Sequence, residues 1–151
     1  PPSYLDEALP AIQRGLDKRQ DGKKDFELTQ IVACSVDDRN PQDAIDACKA
    51  FLTLYLMQQP HIGEHCGADP ELVQRLKEVA GWPARPEDIK RAMALVPNEL
   101  VQRVTACGST DTAYAKLREY HDAGVHVPVI STLGDKEITL IQLARAAEGD
   151  R

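Results

Sequence analysis

Leu28-Thr29-Gln30-Ile31-Val32-Ala33-Cys34-Ser35-Val36 reads as a β-strand with a continuously apolar centre. A strand with one wet face alternates apolar and polar residues, whereas an unbroken apolar run suits a parallel strand covered on both faces. Asp37-Asp38 follow, and then Asn40-Pro41-Gln42-Asp43 opens a helix with a capping Asn, Pro at the first helical position and an acid in the first turn. That helix runs to Gln59 and is expected to bury Ile45, Cys48, Phe51, Leu52 and Tyr55. A buried strand feeding a helix is the grammar of an α/β protein.

Upstream of the strand, Leu5, Leu9, Ile12 and Leu16 recur at helical spacing. They predict a helix from Tyr4 to about Lys18, capped by Ser3, with Asp6 in the place of a capping-box acid and Pro10 kinking or breaking it. Asp21 to Asp25 is a charged connector. Downstream, Pro60 to Gly67 reads as a loop carrying two histidines. Asp69-Pro70-Glu71 opens a helix that Gly81 stops, and Trp82 follows as a loop anchor. Pro86-Glu87-Asp88 opens another, with Ile89, Ala92, Met93 and Val96 on one face, and Pro97-Asn98-Glu99 a short one with Leu100, Val101 and Val104. Gly108 ends that helix. Ser109 or Thr110 caps the next, which runs through Tyr114, Leu117 and Tyr120 to Gly124. Val125 to Ile130 is a second strand, in which Pro128 must sit where no ladder donor is needed. Asp135 or Lys136 starts a last helix. Two strands with about seven helices cannot form a covered sheet, and their open edges call for pairing with another chain.

Composition narrows the function classes. In 151 residues, 42% are apolar and 28% charged, which excludes a disordered or fibrous chain. The formal charge of −6 argues against a duplex-binding surface, which needs clustered Lys and Arg, so no nucleic-acid partner is expected. Phe51 to Met57, the longest strongly apolar stretch, is too short to cross a bilayer, so no membrane partner is expected either. Cys34, Cys48, Cys66 and Cys107 form no C-x-x-C pair and read as free thiols of a reducing cytoplasm. The chain begins Pro1-Pro2-Ser3 with no initiator Met, no charged n-region and no secretory apolar region. Pro1 is therefore expected to be the start of a half rather than of a whole.

An ordered series along the chain resembles a known family. Tyr4-Leu5-Asp6-Glu7-Ala8-Leu9 with Ile12 and Gly15 comes first, then Ile31 to Asp38 followed by Ala44, then Leu54-Tyr55. Val96-Pro97-Asn98-Glu99-Leu100-Val101, Val104, Ala106-Cys107-Gly108-Ser109, Leu117, Tyr120 and Ala123-Gly124-Val125 lead into Pro128-Val129-Ile130. This order resembles the C-terminal portion of the bacterial-luciferase-like flavin and deazaflavin oxidoreductases, a (β/α)8 family, and is most similar to the deazaflavin branch. A complete barrel of that kind takes about 250 residues, so 151 make about half of one. The implied fold class is α/β: a partial (half) TIM-type barrel, helix-rich, with few parallel strands, as a single domain over residues 1–151. The implied activity is hydride transfer to or from an organic substrate with FMN or an F-420-type deazaflavin as cofactor. The strands that supply most of the pocket lie outside this chain, and no G-x-G-x-x-G or P-loop is present. The resemblance thus implies a homo-oligomer or a complementary barrel half as partner, with the chain inactive alone. The alternative is a stand-alone, non-catalytic half-barrel acting as a binding or assembly module.

In such a barrel the carboxyl ends of strands form the active face. Ser131 and Thr132 follow the last strand there, and Ser35 and Asp37 end the earlier one, so these four are the expected cofactor contacts; for each, a plain turn or cap is the competing reading. No catalytic residue is assigned. His61-Ile62-Gly63-Glu64-His65 has the letters of the H-x-x-E-H zinc pattern, but Pro60, Gly63 and Gly67 argue against the helix that pattern needs, and no third ligand is evident, so no metal is expected. Asp37-Asp38 is explained by turn and capping roles as well as by a metal pair. Gly108-Ser109-Thr110-Asp111 is explained by helix capping ahead of anion binding. His126 is expected on the strand face opposite Val125 and Val127.

Overall fold

Thr29–Val36 form strand β1, whose last five residues are all buried. A computed structural model describes residues 1–21, 25–81 and 83–149 of the chain; the expected anchor Trp82 and part of the Asp21–Asp25 connector lie outside them. Before β1, a 3-10 turn (Pro2–Tyr4) leads into α1 (Leu5–Leu16). After it come α2 (Pro41–Gln58), α3 (Pro60–Cys66), α4 (Pro70–Ala80), α5 (Pro86–Met93) and α6 (Asn98–Val104). The chain then returns through β2 (Ala106–Gly108), α7 (Thr110–Asp122), β3 (Val127–Thr132) and α8 (Lys136–Gly149).

The sheet has three parallel strands in the order β2-β1-β3, one more than the sequence suggested. The sequence pattern ends a helix at Gly108, whereas Ala106-Cys107-Gly108 form a strand; three residues are too few to show a period. β2 pairs only with Cys34–Val36, while β3 pairs with Thr29–Cys34. β2 and β3 thus lie on opposite sides of β1, and crossovers of one hand that run in opposite directions cover opposite faces. The helices obey this. Ile45, Cys48 and Leu52 of α2 pack with Cys107 in a core that continues through Leu56, Leu76, Ala92 and Val101. On the other face, Val32, Cys34 and Val36 pack with Ala113 and Leu117 of α7 and Leu143 of α8. Four buried cysteines, all free, belong to these two cores, as their neighbours suggested.

Other departures have local causes. α1 begins at Leu5 with no side-chain cap, because the Pro2–Tyr4 turn takes the place of the Ser3 cap, and Pro10 sits within the helix. Asn40 makes no capping bond; the turn is held instead by Asp37, whose Oδ1 accepts from the amides of Arg39 (2.8 Å) and Asn40 (3.2 Å). Tyr55 is 40% exposed and Phe51 half-buried rather than core, their rings 4.3 Å apart at the surface of α2. Pro60–Cys66 is a helix, not a loop: Pro60 takes the first helical position, Gly67 ends it at φ 68°, and Gly63 packs so closely that an added Cβ would stand 3.4 Å from Val73. β3 starts two residues later than read, so Val125 is a buried residue of the preceding turn and His126 an exposed one, its Nδ1 accepting from the Leu28 amide at 3.0 Å. Leu133 N donates to Cys34 O, so the odd-numbered residues of β3 turn their backbone groups to β1. Pro128 therefore faces the outer edge, where no donor is needed.

Candidate functional site

The carboxyl ends of β1, β2 and β3 lie side by side. α2 leaves β1 over one face and α8 leaves β3 over the other, which opens a crevice between the ends of β1 and β3, the usual ligand position in an open α/β sheet. The polar residues at this rim are largely engaged with each other. Asp38 accepts from the Thr110 amide at 2.7 Å and from the Thr110 hydroxyl at 2.8 Å, which ties the β1 turn to the start of α7. Ser109 caps α7, accepting from Thr112 N at 3.3 Å. The buried Thr139 hydroxyl accepts from Val36 N at 3.0 Å, so α8 closes the β3 side of β1 just past Thr132.

The four expected cofactor contacts are brought to this rim but not to one surface. Ser35 is 3% exposed and lies under the turn from β3 to α8. A Cβ on Gly134 would stand 2.9 Å from Ser35 Oγ and 3.2 Å from Ala47, and Gly134 has φ 63°, so only glycine fits there. Asp37 is half-buried and serves the turn into α2. Thr132 pairs with Cys34 and Ser131 with Ala33, so the two point to opposite faces. Ser131 alone of the four opens onto the α2 face, where it lines a cavity of about 650 Å³.

That cavity was not legible in the sequence. Its floor is Ile31, Ala33 and Ser131 of the sheet, and its walls come from Phe51 and Tyr55 of α2, His61 and His65 of α3, and Tyr4 before α1. His65 stands on Tyr4, ring centres 4.4 Å apart, with Glu7 3.9 Å from its Nδ1. The α3 helix does place His61 and His65 one turn apart, but no group of three metal-ligating side chains exists among the described residues. Tyr120 closes one end; its hydroxyl donates to Val104 O at 2.8 Å, and burial pushes its pKa up to about 12, keeping it a neutral donor. Next to the cavity, burial and then the nearby Cys107 push the Cys34 thiol up to about 12. The hydrogen bond between Cys48 and Cys107 raises the former and lowers the latter, with Thr105 Oγ1 3.2 Å from Cys107 Sγ. Among the described residues no helix is long and apolar enough to cross a membrane.

Tested against a flavin-type coenzyme, the rim does not form a complete cradle. The Asp37 carboxylate is consumed by a turn, Ser35 is buried beneath Gly134, Thr132 points to the other face, and Ser131 faces the cavity. The residues present fit one wall of such a site and not the whole of it.

Comparison with known proteins accounts for this incompleteness. The luciferase-like monooxygenase family matches residues 1–127. A 5,10-methylenetetrahydromethanopterin reductase of Methanopyrus kandleri is 27% identical over 139 residues, spanning 90% of this chain but 38% of the relative. The solved coenzyme F420-dependent tetrahydromethanopterin reductase of the same organism superposes with a TM-score of 0.66 at 24% identity, over 87% of this chain and 36% of that one. The fold is thus a partial luciferase-like TIM barrel, as the sequence suggested, and the chain spans under two fifths of the length of the proteins it matches. It belongs to the luciferase-like monooxygenase family.

Proposed function

We propose that this chain forms the C-terminal part of a luciferase-like oxidoreductase using an F-420-type deazaflavin, with hydride transfer to or from an organic substrate, and that it is inactive without a complementary barrel portion. The observation that carries this is the divided rim: of the four expected contacts Ser131 lines the cavity, Asp37 holds the turn into α2, Ser35 is buried and Thr132 points to the other face. The relatives named for methylenetetrahydromethanopterin reduction and coenzyme F420 favour the deazaflavin over FMN. When bound, the coenzyme supplies the hydride chemistry, and the protein supplies binding, orientation and exclusion of water. In this reading Ser131 contacts the coenzyme, while Ser35, Asp37 and Thr132 fix the strand ends around it. The four reduced cysteines support a cytoplasmic location.

A non-catalytic assembly module is the second reading, favoured by the engagement of Asp37 and Asp38 in purely structural bonds. The two readings separate on coenzyme binding. The purified chain, alone and co-expressed with the part of the Methanopyrus kandleri reductase outside the match, is titrated with coenzyme F420 and with FMN while fluorescence and Tm are followed. A ligand specific to the folded state raises Tm. The expected result is no shift for the chain alone and a shift with the deazaflavin for the pair, weakened about tenfold by Ser131→Val, the scale of one lost hydrogen bond. Binding of neither coenzyme to the pair would leave the assembly module standing.

A further inference from the structure

Two of the four free cysteines face each other where α2 crosses β2. β1 and β2 are parallel, so the helix that joins them runs back against both, and residues ascending α2 meet residues descending β2. Ile45 lies against Gly108, where an added Cβ would stand 3.7 Å from it. A helix climbs about 1.5 Å per residue and a strand about 3.3 Å, so Cys48 falls level with Cys107, and Leu52 with Thr105. Cys48, Leu52 and Cys107 accordingly share one core, and Leu52 and Thr105 both line the cavity of about 650 Å³. The other two thiols are turned elsewhere. Cys34 packs on the opposite face of the sheet and donates to Val32 O at 3.3 Å, and Cys66 of α3 donates to Gly63 O at 3.4 Å.

The facing sulfurs differ in character. The Cys48 thiol, and then the Thr105 hydroxyl at 3.2 Å, donate to Cys107 Sγ and hold the Cys107 thiol below its ordinary value against its burial. The same thiol–thiol bond, with burial, raises Cys48. A more nucleophilic sulfur thus stands beside a protonated one, the arrangement of a reacting and a resolving cysteine.

We propose that Cys48 and Cys107 form a redox pair that a small hydroperoxide oxidises to a disulfide, tying α2 to β2 beside the cavity. The Cys107 thiolate attacks the peroxide: an S–O bond forms, the O–O bond breaks, and the thiol proton leaves with the alcohol or water produced. Cys48 sulfur then attacks the sulfenic sulfur: an S–S bond forms, the S–O bond breaks, and the Cys48 proton leaves in a water molecule. Two thiols are oxidised and one peroxide is reduced. The cavity reaches the Leu52 and Thr105 layer next to the pair, which is the route for a molecule of this size. β2 has three residues and one strand neighbour among the described residues, so it is the element that shifts to bring the sulfurs to the bonded distance of about 2.05 Å. The pair acts without the coenzyme, and its test needs no complementary chain.

The purified, fully reduced chain is exposed to hydrogen peroxide at neutral pH, quenched in acid, unfolded, alkylated and digested. Mass spectrometry is expected to show the Cys48 and Cys107 peptides joined and two of the four thiols lost, with dithiothreitol restoring all four. Cys107 should react about tenfold or more faster than Cys34, since one pKa unit changes the thiolate fraction tenfold. Cys48→Ser removes the resolving thiol, so Cys107 is expected to stop as a sulfenic acid that dimedone labels. Cys107→Ser should leave Cys48 unoxidised over the same time. Thermal melts establish that each variant is folded, and the wild-type peptide map decides without them. Four intact thiols in the folded chain at a dose that oxidises the urea-unfolded chain would overturn the proposal. So would a disulfide from Cys34 or Cys66 in place of this one, or oxidation of Cys48 undiminished in Cys107→Ser.

Discussion

Gly134 is the residue on which the rim depends. Its φ of 63° and the 2.9 Å gap to Ser35 Oγ allow no side chain. Gly134→Ala is expected to cost about 1–3 kcal/mol, since a strained backbone and a displaced hydroxyl act together. Urea unfolding measures it, and combining it with Ser35→Ala should recover the steric share and leave the backbone share. Tyr120 and Cys34 contribute to the loss of stability at alkaline pH. Both are buried and hold their protons to about pH 12, while the unfolded chain releases them near the ordinary values of 10.0 and 9.0. Between those limits the native state binds more protons, so stability falls as pH rises, and below them these groups contribute no slope. Tyr120→Phe should remove the tyrosine share of that fall, seen as a shallower decline of Tm above pH 10, while losing the bond to Val104 O at every pH. Asp88 works in the opposite direction: the Arg85 hydrogen bond, with Arg91 beside it, holds its carboxyl below the usual range, so its contribution is present above that range and lost on acidification.

At the scale of elements, what the sequence showed depended on length and punctuation. β1 was legible from its continuous apolar centre, and α2, α4, α5 and α7 because each combines an apolar pattern with a Pro, Asp, Asn or Ser at its start. α3 was not, because Gly63 inside it and Gly67 after it read as loop chemistry; packing against Leu56 and Val73 overrides that propensity. Gly63→Ala should accordingly be neutral or stabilising by up to about 1 kcal/mol, the helix gain being offset by a 3.4 Å contact, whereas Gly63→Leu should cost about 2–3 kcal/mol through overpacking. Thermal melts decide both. β3 was legible in kind and shifted in register, because Val125 is as apolar as the strand it precedes but belongs to the α7–β3 turn. That shift moved Ser131 from the loop after the strand into the strand itself, and only the pairing with Ala33 reveals the face it serves. Leu52→Ala, which opens the core between α2 and the sheet, should cost about 2–4 kcal/mol.

At the scale of the whole molecule, the sequence conveyed incompleteness better than it conveyed the site. The resemblance marked the chain as part of a longer barrel, and the chain spans 38% of the relative it matches; the strand count of two was one short, because β2 has only three residues. The cavity could not be read, since it joins side chains from the first turn, β1, α2, α3 and α7 that no spacing relates. Exposed Ile31, Val127 and Val129 mark the same unfinished face. The central claim is that β1 is paired with β3 along one edge and, before Cys34, faces no strand along the other among the described residues, and residue-resolved amide exchange on the purified chain alone tests it most directly. The account predicts alternation: slow exchange at Gln30, Val32 and Cys34, which face β3, and fast exchange at Thr29 and Ile31, which face the β2 side ahead of the first β2 residue. Uniform protection from Thr29 to Ala33 would contradict it.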